Sequence, residues 1–181
     1  MYYRLDTRVS PKDPDLANTL TSRDIHVPWS MGSKIVKPVP EKIEVSLNPK
    51  RGRKMRDLFL IDVPLFSDKL LSALHSAGVD NLQTFDAEIR SPEGDLFPNY
   101  KAVNIIGLVS CVDLGKSTYL PESEPPLMEF STLVIDESKI GGQDFFRLAE
   151  DSLYILASER VKEKIEQADP SGLSLTPLAK G

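Results

Sequence analysis

Alternation between apolar and polar residues predicts a strand-helix-strand unit in the last third of the chain. Residues 153–156 form an apolar run long enough for one buried strand, and Ser158 follows where helices favour an N-cap. Apolar side chains then recur at the i, i+4 and i+7 positions of a thin amphipathic helix, namely Val161, Ile165 and Ala168. After Pro170, which disfavours helical geometry in the preceding residue, residues 173–176 alternate as a half-exposed strand does.

A second unit of similar build lies earlier in the sequence. Residues 58–61 suit a buried strand, Ser67 is another N-cap candidate, and Gly78 is placed to end the helix that follows. Counted from the two cap serines, four apolar positions correspond without a gap: Leu70 with Val161, Leu74 with Ile165, Ala77 with Ala168, and Leu82 with Leu173. The correspondence suggests a degenerate internal repeat, although any amphipathic helix with a short loop would match in part by chance.

Other alternating or β-branched stretches complete the predicted sheet. They lie near residues 2–5, 42–47, 82–89, 102–112 and 132–136. The longest apolar stretch, 102–112, belongs in the centre of a sheet. The sequence therefore predicts an α+β fold, in which two amphipathic helices pack on a central mixed sheet.

The first 50 residues are rich in proline and poor in periodic apolar positions. Six of the 14 prolines lie there: Pro11, Pro14, Pro28, Pro38, Pro40 and Pro49. We expect a proline-rich N-terminal arm over residues 1–50 with little regular structure besides the two strands, and an α+β core domain over residues 51–181, joined in one compact unit. Trp29 can either pin this arm to the core or anchor a partner.

Composition excludes several classes of protein. The chain has 181 residues, 40% of them hydrophobic and 27% charged, and no apolar run approaches the roughly 20 residues of a membrane helix. The N-terminal residues lack the basic end and apolar centre of a secretory signal, so a cytoplasmic location is expected. A single cysteine, Cys111, forbids an internal disulfide and agrees with a reducing compartment.

The charge distribution argues weakly against a dedicated nucleic-acid binder. The net charge is −5, whereas contact with phosphates needs a basic face. The one dense basic run is Lys50, Arg51, Arg53, Lys54 and Arg56. This run is either a contact for nucleic acid or an acidic partner, or a solvated turn before a strand.

Motifs that carry chemistry are absent from the sequence. No Gly-rich phosphate loop, nucleophile elbow or paired metal-binding histidines occur, and no cofactor or metal is expected. Cys111 lies in an apolar stretch that favours an inert thiol, and His26 and His75 are 49 positions apart. Asp136 and Glu137 follow an apolar strand, where acid-base groups or ordinary solvated carboxylates are both found.

Three segments together resemble a family of bacterial proteins classed as immunity proteins of polymorphic toxin systems. The segments are residues 100–113, residues 133–140 with the Asp-Glu-Ser-Lys sequence, and residues 146–173 with Phe-Arg-Leu, Ser-Glu-Arg and Ser-Gly-Leu. The resemblance covers about residues 57–178, and the first fifty residues add little to it. It implies a cognate protein toxin as the partner, and it supplies no catalytic residues.

An immunity protein needs a rigid scaffold and a complementary face, and an acidic face speeds the encounter with a basic toxin. We expect partner contacts at exposed carboxylates near strand ends and at the single tryptophan: Glu122, Glu124, Asp136, Glu137 and Trp29. Two alternatives stay open, an enzyme with acid-base groups at sheet ends and a nucleic-acid-associated module that uses the basic run. The oligomeric state is not predicted.

Overall fold

The chain folds as an α+β protein, which confirms the predicted fold class. The computed structural model describes residues 1–8, 10–12, 16–19, 27–48, 50 and 54–180; for residues 16–19 it describes the backbone only. The strands in these residues are β1 (Tyr2–Thr7), β2 (Leu16–Thr19), β3 (Ile43–Leu47), β4 (Leu58–Phe59), β5 (Leu65–Ser67), β6 (Leu82–Arg90), β7 (Leu96–Ile105), β8 (Leu108–Val109), β9 (Thr118–Tyr119), β10 (Phe130–Thr132), β11 (Phe145–Leu148), β12 (Ile155–Ser158) and β13 (Leu173–Pro177). The helices are α1 (Asp68–Ser76) and α2 (Glu159–Ala168), with a 3-10 turn at Glu137–Lys139.

The strands divide between two large sheets, so the prediction of a single central sheet is wrong. In the described residues, one sheet has the order β13-β1-β12-β11-β8 and the other has the order β2-β3-β6-β7-β5-β4, while β9 and β10 form a separate pair. Side chains from both large sheets and both helices form one buried cluster, which includes Leu5, Phe66, Leu74, Phe145 and Val161. The two sheets therefore share part of the hydrophobic core.

The internal correspondence in the sequence has a structural counterpart. In one half α1 connects β5 to β6, and β7 lies between these two strands and runs antiparallel to both. In the other half α2 connects β12 to β13, and β1 takes the place between them in the same antiparallel sense. Each half is thus a split β-α-β unit, and Leu82 and Leu173 are the first residues of the matching strands.

Both helices begin at the serines that the sequence indicates. The Ser67 hydroxyl accepts a hydrogen bond from the N–H of Leu70 at 3.2 Å, and the Ser158 hydroxyl accepts one from Val161 at 3.4 Å. Gly78, with a positive φ of 82°, follows the last turn of α1, and its N–H donates to the carbonyl of His75. Helix formation here follows from local sequence signals.

Residues 102–112 contribute to two sheets, so the prediction of one central strand over this apolar stretch is wrong. Its first part belongs to β7, which starts earlier at Leu96, and the chain then turns at Gly107. The φ of Gly107 is 126°, a conformation that side chains rarely adopt, and a Cβ there would lie 2.6 Å from the side chain of Gln143. After this turn the chain forms β8 beside β11 in the other sheet.

Other predicted strands differ in extent. The prediction of a strand at 132–136 is wrong beyond its first residue, because β10 ends at Thr132 and Ile135 makes an isolated bridge to Val112. The strand predicted at 153–156 lies two residues further on, as β12. The sequence did not indicate strands β5, β9 or β11, and β2 also falls in a stretch without a strand prediction.

The N-terminal part of the chain contributes to both sheets. β1 is an inner strand of the five-stranded sheet, and β3 pairs in parallel with β6. The segment before β3 is held by Gln83, whose side-chain amide donates to the carbonyl of Ile35 at 2.9 Å and accepts from its N–H at 2.8 Å. The proposed division of the chain at residue 50 stays a prediction.

Candidate partner-binding surface

The loop that carries Glu122 and Glu124 connects β9 to β10 and spans residues 120–129; we call it the acidic loop. Both carboxylates are exposed. The backbone beneath them is ordered by hydrogen bonds, since the Ser123 hydroxyl donates to the carbonyl of Leu120 at 2.6 Å and accepts from the N–H of Glu129 at 3.1 Å. The loop therefore presents its carboxylates from a braced backbone, which costs less entropy on binding than a free loop does.

The acidic loop is attached to the turn between β11 and β12, residues 149–154, which we call the 149–154 turn. The N–H of Ser152 donates to the carbonyl of Pro126 at 2.8 Å, and the N–H of Met128 donates to the carbonyl of Glu150 at 2.9 Å. Leu127 forms a β-bridge with Asp151. Loop and turn thus form one continuous piece of surface.

This surface exposes apolar as well as acidic side chains. Leu127 is 57% exposed and Leu153 is 61% exposed, although leucine is among the residues most often buried. We call Glu122, Glu124, Leu127 and Leu153 the loop-turn surface. An exposed apolar group with a charged rim is typical of a protein-protein contact.

Asp136 and Glu137 lie in a different turn and already have partners within the chain. Asp136 Oδ1 accepts hydrogen bonds from the hydroxyl of Ser138 at 2.6 Å and from its N–H at 3.1 Å. These two bonds are the main reason why the pKa of Asp136 lies below its ordinary value, and Lys139 adds to the effect. Glu137 Oε1 lies 3.4 Å from the N-terminal ammonium group. Both carboxylates therefore stabilise the 3-10 turn and its contact with the N-terminus.

Trp29 is buried, with 5% of its surface exposed, and its ring meets Phe85 edge to face with 5.5 Å between centroids. Of the two roles that the sequence allowed, burial supports the one in which Trp29 pins the N-terminal segment to the core. Its remaining surface forms part of the wall of a cavity.

That cavity is a feature which reasoning from the sequence missed. It has a volume of about 530 Å³. Its walls come from residues 60–64, which connect β4 to β5, from the 149–154 turn, and from residues 27–30, which include Trp29. Its apolar lining comes from Val27, Trp29, Leu60, Ile61, Pro64 and Leu153. Asp62, which is exposed, and Arg147 supply its charges.

Arg147 is the unusual member of this lining. It lies in β11 with only 3% of its surface exposed, and its Nη1 donates to the carbonyl of Ser152 at 2.7 Å. Its Nε is buried without a hydrogen-bond partner, and no carboxylate of the described residues forms an ion pair with it. Burial lowers the pKa of the Arg147 guanidinium to about 10. A single sequence signal was available, a charge inside the apolar run at 145–148.

Two further buried acids lie in the 149–154 turn. Glu150 Oε1 accepts hydrogen bonds from the Ser110 hydroxyl at 2.7 Å and from the N–H of Val112 at 3.3 Å. Asp151 Oδ1 accepts from the N–H of Leu153 at 3.1 Å, and burial raises the pKa of Asp151. These contacts hold the turn against residues 110–112 and fix the direction of its backbone.

Nucleophilic or metal chemistry finds little support at the remaining candidates. Cys111 is fully buried, and burial together with the charge of Glu150 raises the pKa of its thiol to about 12. His75 is exposed in the last turn of α1, and His26 lies outside the described residues. Within the part of the chain that the structure describes, no group of three or more His, Cys, Asp or Glu residues could hold a metal ion.

The basic run is only partly described, because Arg51 and Arg53 lie outside the described residues. Lys50 and Lys54 are exposed, whereas Arg56 is 5% exposed and places its guanidinium 4.3 Å from the centroid of the Phe59 ring. Arg56 thus packs within the fold instead of extending the basic surface.

Comparison with known families decides the broad class of this protein. Residues 6–180 match the Immunity protein family (Imm11). The chain belongs to the Imm11 family of immunity proteins. The match confirms the resemblance seen in the sequence and extends it, since it begins within β1 and includes the first fifty residues that had added little.

Membership of Imm11 implies an immunity-type function and a toxin partner in general. No curated protein sequence matches this Imm11 chain. No helix of the described residues is long and apolar enough to cross a membrane.

Proposed function

We propose that this Imm11 protein binds and neutralises a cognate protein toxin through the loop-turn surface. The observation that supports this proposal is the pairing of two exposed leucines, Leu127 and Leu153, with the exposed carboxylates Glu122 and Glu124 on one braced piece of chain. A toxin that covers the leucines gains hydrophobic free energy, about 25 cal/mol for each Å² of apolar surface buried.

Charge is expected to act mainly on the rate of encounter. The chain carries a net charge of −5, and the two exposed glutamates add negative charge to the same loop that carries Leu127. A basic surface on the toxin would be attracted to these carboxylates before the leucines meet it. We therefore propose that the apolar contact determines the affinity for the toxin and that the acidic side chains raise the rate of association.

A binding mechanism is favoured over an enzymatic one. The predicted acid-base pair, Asp136 and Glu137, is occupied by Ser138, Lys139 and the N-terminus. We therefore propose a non-enzymatic inhibitor that acts in the cytoplasm, where an immunity protein would meet a toxin entering or made in the cell.

The test is co-expression with the cognate toxin followed by purification. Growth rescue together with a complex that survives size exclusion is the expected result. The variant Leu127→Asp, at a side chain that is 57% exposed, should abolish the complex while its melting temperature stays near that of the wild type. Ser72→Asp, at an exposed position of α1, is the matched control and should bind normally.

Rescue of growth without a detectable complex would overturn the binding mechanism and favour enzymatic reversal or modification. A complex that tolerates Leu127→Asp and Leu153→Asp would leave inhibition by binding intact and remove the loop-turn surface from it.

A further inference from the structure

The cavity beside the loop-turn surface has an apolar wall and one buried positive charge. The apolar wall includes Leu60, Ile61, Leu153 and Trp29. Arg147 of β11 lines the same cavity. Side chains of this kind enclose the hydrocarbon part of a ligand, and a buried guanidinium recognises an anionic group.

The donors of the Arg147 guanidinium indicate which kind of anion it would bind. Nη1 donates to the carbonyl of Ser152, whereas the buried Nε has no hydrogen-bond partner among the described residues. The Nε–H and the neighbouring Nη2–H of an arginine point in the same direction and form a two-pronged donor that matches the two oxygens of a carboxylate. Since a buried charge without an acidic partner is costly, a carboxylate bound in this cavity would compensate the charge of Arg147 and accept hydrogen bonds from the guanidinium atoms that line the cavity.

A carboxylate fits this site better than a phosphate does. Among the residues that the structure describes, the lining has one cation, Arg147, and Asp62 adds a negative charge to it. A phosphate dianion would be repelled by Asp62 and would find only one guanidinium, whereas phosphate sites commonly combine several donors. The cavity suits a single negative charge carried on an apolar stem.

We propose that the cavity lined by Trp29 and Arg147 binds a carboxylate of the toxin, an acidic side chain or the C-terminus, with Arg147 as its partner. This inference rests on the proposed function, because the toxin supplies the carboxylate. Leu153 connects the two sites, since it lines the cavity and belongs to the loop-turn surface. A toxin seated on the leucines would bring one anionic group to Arg147 and meet the acidic loop with basic groups.

The site can be tested without the toxin, because Trp29 is the only tryptophan of the chain and lines the cavity. Its fluorescence is followed during titration with N-acetyl-L-leucine, and N-acetyl-L-leucinamide serves as the probe that lacks the carboxylate. We expect a saturable change with the acid and binding weaker by about tenfold or more with the amide. Added salt should weaken the acid more than the amide.

Two variants separate a lost site from a lost fold. Arg147→Met removes the donor from a buried position, so its melting temperature is measured first. Leu153→Glu places a negative charge at an exposed position of the lining and should weaken the acid without affecting folding. Arg90→Gln, at an arginine paired with Glu88 outside the lining, is the control and should bind like the wild type.

Equal binding of acid and amide, or inorganic phosphate that displaces the acid at lower concentration, would overturn the assignment of a carboxylate site. With the toxin, Arg147→Met and Leu153→Glu should each raise Kd by about tenfold or more. A further outcome is that Arg147→Met and Leu153→Glu leave toxin affinity unchanged even though Arg147→Met weakens binding of N-acetyl-L-leucine. In that outcome the cavity binds a carboxylate, but the toxin is not its source. If the toxin does not bind the wild type, the proposed function fails, and the fluorescence titration still decides the carboxylate site.

Discussion

The hydroxyl of Ser158 donates a hydrogen bond to Oδ1 of Asp144 across 2.5 Å, at the point where β12 passes into α2. The Ser158 N–H also donates to the Asp144 carbonyl at 2.8 Å. Ser67 makes the same two bonds to Asp57, over 2.5 and 2.9 Å, where β5 passes into α1. An aspartate one strand earlier thus fixes each cap serine, and the two split β-α-β units share this arrangement.

Removal of either cap serine should destabilise the protein. Ser67→Ala and Ser158→Ala each lose a helix cap and a hydrogen bond to a carboxylate, and we expect a loss of about 1–2 kcal/mol in the free energy of unfolding. Urea unfolding measures it. Ser72→Ala, at an exposed position inside α1, is the control and should change stability by less than about 0.5 kcal/mol. Equal stability of all three variants would show that the serines do not hold the helices.

The core faces of the helices give a stronger effect. Leu74 in α1 and Val161 in α2 are fully buried in the cluster shared by both sheets. Leu74→Asp or Val161→Asp would bury an unpaired charge there, and we expect a loss above about 4 kcal/mol or failure to fold. Leu74→Ala, which only removes volume, should cost about 2–5 kcal/mol. Unchanged melting temperatures would mean that these residues do not face the core.

The helices were predictable because their signals are local. A cap serine, a stripe of apolar residues three to four positions apart, and a terminating glycine all lie within one short segment, so Ser67, Ser158 and Gly78 could be assigned from the sequence. The pairing of Ser158 with Asp144 was not predictable, since it depends on how β11 and β12 pair. Local patterns indicated both helices and several of the strands, and long-range contacts decided how these elements are arranged.

The division into two sheets shows where local patterns fail. Residues 102–112 are mostly apolar, with Asn104 and Ser110 as the polar exceptions, and the pattern on either side of Gly107 does not show that the chain passes there into a second sheet. That turn is held by distant residues, because the N–H of Gly107 donates to the carbonyl of Gly32 and its own carbonyl accepts from the N–H of Arg147. A prediction from one sequence has no access to these partners.

The candidate site was predicted in part. Exposure of Glu122 and Glu124 followed from the turn-forming residues around them, whereas Leu153 was expected in a buried strand and no prediction was made for Leu127. Arg147 could have been noticed as a charge within an apolar run. Its lack of an acidic partner among the described residues depends on which carboxylates fold near it, and no local pattern reports that.

Cys111 should be chemically inert in the folded protein. Its side chain is fully buried, and burial raises the pKa of its thiol to about 12, so little thiolate forms at neutral pH. We expect no reaction with Ellman's reagent at about pH 8 until urea unfolds the chain. Ser131→Cys in a Cys111→Ala background places a thiol at an exposed position and should react at once. Rapid reaction of the wild type would contradict the burial of Cys111.

Acid should weaken the contact between Tyr3 and Glu159. The Tyr3 hydroxyl donates to Glu159 Oε2 at 2.6 Å and is the main reason why the pKa of Glu159 lies below its ordinary value of 4.5. Because the folded state has the lower pKa, this contact stabilises the protein above pH 4.5 and loses its effect as the pH falls through the folded value. In Tyr3→Phe, NMR titration should show the Glu159 pKa nearer to its ordinary value.

Unfolding experiments provide the second measure of the same contact. Tyr3→Phe should be less stable than the wild type at neutral pH, and the difference should shrink as the solution is acidified below the ordinary pKa of Glu159. A difference that is independent of pH would mean that Tyr3 stabilises the fold by packing alone.

Charge reversal on the acidic loop should slow association with a basic toxin more than the same reversal on α2. Glu122→Lys with Glu124→Lys removes a concentrated negative rim. Glu163→Lys with Glu166→Lys changes the net charge equally, but α2 already balances its carboxylates with Lys162, whose Nζ lies 3.0 Å from Glu166 Oε2, and with Lys164. At low salt we expect association about tenfold slower for the loop variant and less than about twofold slower for the helix variant.

Stopped-flow measurements of the association rate at two salt concentrations test this prediction, because electrostatic steering fades as salt screens the charges. Equal rates for both variants, or a toxin surface that proves acidic, would remove steering by the acidic loop, since the two double variants differ only in where the charge is placed.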